Sequence, residues 1–162
     1  MARLEILQAP HPTLKSVARP VAQVDDAVRA LMNDMLETMY AAPGIGLAAP
    51  QIGVLHRVVV IDIGRDEDAR DPFRFVNPEI TWRSEEEETA EEGCLSLPEQ
   101  FADVTRAKAI KLRYLDEAGE PKELEAEDMM ARCIQHEVDH LNGVLIVDHI
   151  SALKRRMILK KL

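Results

Sequence analysis

Aromatic side chains are scarce in this sequence, with one Trp, two Tyr and three Phe among 162 residues. Val, Ile, Leu, Met and Ala must therefore fill the interior. Cysteine is scarcer still: Cys94 and Cys133 are too few for a disulfide framework and read as thiols in a reducing compartment. No apolar run approaches the roughly 18 to 20 residues that span a bilayer. The segment Met1 to Ile6 carries Glu5 where a signal peptide needs an apolar run. Cationic charge is short as well. Lys and Arg total 20 against 29 Asp and Glu, a formal net charge of −9, and no basic stripe runs through the body of the chain. That excludes nucleic acid as the main ligand. What remains is a cytoplasmic protein, one domain over residues 1–162, long enough to bury a real core.

The first segment, through Val24, is punctuated by Pro10, Pro12 and Pro20 and reads as extended or turn. Asp25-Asp26 opens a helix whose apolar residues, Val28, Leu31, Met32, Met35, Leu36 and Met39, follow helical spacing up to Pro43-Gly44. Gly44 to Gly53 reads as a loop. It lacks the strand-before, helix-after order of a phosphate loop, because a helix precedes it and the strand Val58 to Ile63 follows. Arg65 to Asp71 reads as a charged loop, and Phe73 to Arg83 as strands broken at Asn77-Pro78. Glu85 to Glu88 reads as a solvated turn or edge, and Val104 to Tyr114 as one further strand. Glu117 to Pro121 is a hairpin-like turn, Val144 to Val147 a short apolar piece, and Ser151 to Lys160 an amphipathic, basic final helix. There is no internal repeat and no linker.

Chemistry concentrates in Gln135-His136-Glu137-Val138-Asp139-His140. This segment matches His-Glu-x-x-His on a helix that Glu127-Asp128 opens and Gly143 closes. His136 and His140 lie one turn apart on the same face and can reach one metal ion, with Glu137 as a candidate general base. At about 100° per residue, Met130, Cys133, Ile134, Val138 and Leu141 form an apolar face. Asp128, Arg132, Gln135, Asp139 and Asn142 form the opposite, polar one. Glu137 falls among the apolar residues, where a carboxylate is costly to desolvate unless it has a partner or a task.

A catalytic zinc-type site needs a third protein ligand and an open position. Cys94, Cys133, His11, His56 and His149 are the candidates. Cys133 lies one turn before His136 and would crowd a tetrahedron, so it reads as a buried thiol lining the site. Cys94, from a distant segment, can close the geometry from the other side. A Cys–His nucleophilic pair leaves His140 and Glu137 without a purpose. A small zinc endopeptidase and a closed four-ligand structural site using both cysteines stay open on the residues alone.

Three segments stand in order: Gly44-Ile45-Gly46-Leu47-Ala48-Ala49-Pro50-Gln51, Glu92-Gly93-Cys94-Leu95-Ser96, and the His-Glu-x-x-His run. Together they resemble the three signature motifs of bacterial peptide deformylases, and the resemblance extends over nearly the whole chain. It implies an α+β fold, with antiparallel β-sheets packed around a central helix carrying the two histidines. The activity it implies is removal of the formyl group from the N-terminal formyl-methionine of new polypeptides. It further implies that Cys94, His136 and His140 bind the metal and that Glu137 is the acid/base. Gln51 and the backbone amide of Leu95 would stabilise the oxyanion, and Ile45, Gly46, Glu92 and Cys133 would surround the substrate. The implied metal is Fe2+, with Zn2+ or Ni2+ able to replace it, one ion per chain. The implied partners are nascent formyl-methionyl peptides and, through the basic C-terminal helix, a weak contact with the ribosome. No membrane and no specific nucleic-acid sequence is implied.

Overall fold

The computed structural model describes residues 3–64 and 67–162. Helix α1 (Asp26–Ala41) starts where Asp25 caps it, its side chain accepting from the Val28 amide at 3.0 Å. The glycine-rich stretch expected to be loop contains a short strand, β1 (Gly46–Ala48), followed by a 3-10 turn over Ala49–Ile52. Then come β2 (Val58–Ile61), two residues shorter than expected, and β3 (Phe73–Arg83). Of the expected charged loop, Arg65 and Asp66 lie outside the described residues, as do Met1 and Ala2. Glu67–Ala69 form a 3-10 turn.

β3 is continuous rather than broken at Asn77-Pro78. The disruption is a register shift against the neighbouring strand, with Asn77 at a φ of 50°, a left-handed conformation that Asn tolerates. Its side chain holds the early segment by pairing with both backbone groups of Val21, at 2.8 and 2.9 Å. The strand expected from Val104 to Tyr114 divides into β5 (Leu97–Ala107) and β6 (Ala109–Leu115), and β4 (Glu87–Cys94) precedes them. β7 (Pro121–Glu127), hidden in sequence by its charges, pairs with β6 across the expected turn.

All strand pairings in the two sheets are antiparallel: a five-stranded sheet ordered β1-β2-β3-β6-β7 and a hairpin of β4 and β5. β7 runs straight into helix α2 (Asp128–Leu141), the turn being made by Asp128 at a φ of 54°. α2 packs on β1, β2, β3, β5, β6 and β7 and is the central element of this α+β fold. Its two ends are fixed differently. The Asp128 amide donates to the Lys108 carbonyl, whereas at the C-terminus Gly143, with a φ of 73°, passes too close to the Lys15 carbonyl for any side chain. Helix α3 (Ala152–Lys160), capped by Ser151, closes the chain on the surface. No helix of the described residues is long and apolar enough to cross a membrane.

Candidate metal centre

The β4–β5 hairpin carries Cys94 to the flank of α2. There its Sγ lies 3.3 Å from His140 Nε2. Donor atoms of Cys94, His136 and His140 all fall within 4.8 Å of one another. This is the gathering of donors that a single ion bound at about 2.0–2.3 Å would draw together. One thiolate and two imidazoles form a donor set that a divalent transition metal accepts with a position left over for water or substrate. His11 and His56 lie elsewhere. His149 meets Asp139 instead, its Nε2 at 2.9 Å.

The two histidines differ in their surroundings. Burial and the neighbouring His136 and Arg106 push the His140 pKa well down, which keeps a neutral imidazole available as a ligand. Burial also disfavours charge on His136, but Cys94 and Glu92 outweigh it and push its pKa well up. A metal at Nε2 competes with that proton. Its Nδ1 is 2.9 Å from Glu92 Oε1.

Glu137, 3% exposed, carries an Oε1 with no hydrogen-bond partner among the described residues, 4.0 Å from His140 Nε2. Burial, helped by Glu92 and Asp139, pushes its pKa up to about 7 against the pull of His136 and Arg106. A carboxyl poised there can take and return a proton at working pH. Cys133, also buried, is pushed well up by desolvation and by Glu137, so it stays a thiol and directs its Sγ to the Ile45 carbonyl at 3.9 Å. Gly46 is a glycine because a Cβ would come within 2.7 Å of Glu137 Oε2 and 3.0 Å of Cys133 Sγ.

Gln51 is buried at the end of the 3-10 turn. Its Oε1 accepts from the Ala48 amide at 2.9 Å, and its Nε2 donates to Ser96 Oγ at 3.1 Å and faces Cys94 Sγ at 3.6 Å. Gln51, Cys94, Cys133, His136 and Glu137 line one cavity of about 910 Å³, whose wall also includes Ile45, Leu95, Met129 and Arg132. Glu92 belongs to that wall too, but both its oxygens are turned to protein donors: His136, Arg106 and Arg132. Burial opposes its ionisation, yet the bonds from His136 and Arg106 hold its pKa at about 2.

The family model for polypeptide deformylase matches residues 3–156. The chain belongs to the polypeptide deformylase family. A peptide deformylase of Phenylobacterium zucineum is 58% identical over 99% of this chain and 95% of its own. That of Alkalilimnicola ehrlichii is 57% identical over 100% of this chain and 90% of its own. Among solved structures, the Ehrlichia chaffeensis peptide deformylase in complex with actinonin superposes with a TM-score of 0.94 at 38% identity, covering 99% and 96% of the two chains. One from Legionella pneumophila gives 0.92 at 45% identity, covering 99% and 95%.

Two features of the centre were missed in sequence. Arg106 and Asp139 read there as a strand residue and a solvent-facing helix residue. In the fold, Arg106 bridges Glu92 and Asp139, its Nη1 meeting Asp139 Oδ2 at 2.9 Å. The only signal was an arginine within a predicted strand, between Val104-Thr105 and Ala107. Gln135, also placed on a polar face, is buried and binds both backbone groups of Ala107, at 3.2 and 2.8 Å.

Proposed function

We propose that this chain carries out its family's reaction with the residues just described. The reaction is metal-dependent hydrolytic removal of the formyl group from the N-terminal formyl-methionine of new polypeptides, releasing formate. The observation that carries this reading is the convergence of Cys94, His136 and His140 beside the unpartnered carboxylate oxygen of Glu137, with Cys94, His136 and Glu137 on the wall of one cavity.

Cys94, His136 and His140 would hold the ion, which supplies Lewis acidity towards a carbonyl oxygen and water. Glu137 Oε1 takes the proton of the attacking water and returns it to the leaving amine, a contribution of roughly 10²–10⁴-fold. Gln51 Nε2 and the Leu95 amide stabilise charge on the formyl oxygen, donors of this kind being worth about 3 kcal/mol each. Ile45, Gly46 and Cys133 shape the apolar space for the methionine side chain. Glu92 borders that space while acting on His136. Ferrous iron is the proposed ion, with zinc or nickel as substitutes. The match over residues 3–156 supports a single catalytic domain working in the cytoplasm. The exposed Lys154, Arg156 and Lys160 of α3 support a weak ribosome contact.

The test is anaerobic assay of formyl-Met peptides beside their unformylated twins, with metal content measured on the same sample. Formate release from the formylated peptides alone is expected. Cleavage of internal bonds in the unformylated twins would replace this reading with that of a zinc endopeptidase.

A further inference from the structure

Two arginines close on Glu92, one from β5 and one from α2. Arg106, on β5 and 5% exposed, donates from Nε to Oε2 at 2.7 Å and from Nη2 to Oε1 at 2.9 Å. Its remaining nitrogen is anchored on Asp139. Arg132, on α2 one turn before His136, donates from Nη1 to Oε2 at 2.5 Å and to the Val104 carbonyl at 2.9 Å. Its Nη2 donates to the Glu88 carbonyl at 2.6 Å. The two guanidinium groups thus tie β4, β5 and α2 together around one carboxylate.

An ionised carboxylate can only accept hydrogen bonds. The proton between Glu92 Oε1 and His136 Nδ1 therefore sits on nitrogen, and the lone pair of Nε2 is left for a metal. Partners of this kind fix a ligand's tautomer and ring orientation. They do so only while the carboxylate itself is held, and a buried carboxylate deprived of its counter-charge is strongly destabilised.

We propose that Arg106 and Arg132 are positioning residues of the metal centre: they lock Glu92 so that His136 keeps its proton on Nδ1 and turns Nε2 to the ion. This rests on the reading of Cys94, His136 and His140 as ligands. Arg106 is the stronger holder, since its planar fork engages both oxygens and a lysine cannot reproduce that geometry. Arg132 contributes a single bond to Glu92.

The test uses the zinc-loaded full chain and two readouts besides activity: the rate of zinc loss to a chelator, and the His136 tautomer by long-range proton–nitrogen NMR. Arg106→Gln is expected to lose zinc roughly 10–100-fold faster and to show mixed His136 tautomers. Arg106→Lys should recover part of the retention, and Arg132→Leu should lose zinc at least about threefold faster. Arg132 lies nearer the surface, so its variant carries the test should the Arg106 variants fail to fold. Folded arginine variants that release zinc within about twofold of the parent, with an unchanged tautomer, would overturn the proposal. His136→Ala serves as the control. If it holds zinc as the parent does, the ligand reading itself fails and the proposal goes with it.

Discussion

Helix α1 buries Met32, Met35, Leu36 and Met39 along one face and leaves Asp26, Ala27 and Ala30 exposed on the other. Helix α2 has the same amphipathic pattern in sequence but is covered on both sides. Its apolar face meets the large sheet through Ile134, Val138 and Leu141. Its polar face meets the β4–β5 hairpin, where Gln135 binds backbone and Arg132 and Asp139 enter the ion-paired array around Glu92 and Arg106. In α1 the polar side chains other than Thr38 stay partly or fully exposed. In α2 the polar groups at its middle, Arg132, Gln135 and Asp139, are buried or half-buried with partners on β4 and β5, which is where a ligand set has to be supported.

The sharpest break of that comparison removes the proposed ligand brought to α2 from outside it. Cys94→Ala should lose bound metal and turnover together, whereas Cys133→Ala, which removes a thiol of α2 itself, should keep most of its metal. Metal per chain and formate release on the same preparations decide the matter. Equal metal loss in both variants would support a closed structural site.

Next in size is Glu137→Gln, the change confined to the one carboxylate on the apolar side of α2. An amide has no titratable proton to transfer in this range, so turnover should fall roughly 10²–10⁴-fold. Metal content should be unchanged. The melting temperature should be equal or higher, because a buried acid has been removed. Near-normal turnover with full metal would remove Glu137 from the mechanism.

On α1 the same size of side-chain change should act on stability alone. Met35 is fully buried, and truncation to Ala should cost about 2–5 kcal/mol. Denaturant unfolding would measure this, and kcat on formyl-Met peptide at 20 °C or so below the midpoint should stay within about twofold of the parent.

How far the sequence led follows from the same contrast. α1, its Asp25 cap and the His136–His140 pair were legible because they rest on periodicity within a dozen residues. The division of β5 from β6 was not, since Ala107-Lys108-Ala109 offers neither Gly nor Pro to mark it. β7 was hidden because Lys122, Glu123 and Glu125 leave little apolar pattern to mark a strand, although an edge strand is where such charges belong. The pairing of Arg106 with Asp139 and of Gln135 with Ala107 spans 28 or more positions, and helical-wheel reasoning counts polarity without counting partners.

The smallest expected effect tests a polar tie between the C-terminal turn of α1 and the chain just beyond β2. Tyr40 donates its hydroxyl to Asp62 Oδ2 at 2.5 Å, and Asp62, just beyond β2, also accepts from the Gly64 and Asp71 amides at 2.9 and 3.1 Å. Burial raises the Asp62 pKa, but these three donors prevail and set it below the ordinary value. Burial and Asp62 together push Tyr40 up to about 12, so the hydroxyl remains a donor throughout the neutral range. A carboxylate depressed on folding contributes stability that is fully present above its unfolded pKa, about 3.9, and is lost as the pH falls through the folded value. Tyr40→Phe removes one donor and should cost about 1–2 kcal/mol at pH 7. The difference between parent and variant should narrow as the pH is taken below about 4, because protonated Asp62 has less to gain from the hydroxyl. Unfolding midpoints at pH 7, 5 and 3.5 test this, with metal content followed in parallel. A penalty that grows on acidification would show that the Tyr40 hydroxyl favours the neutral form of Asp62, reversing the sign argued here.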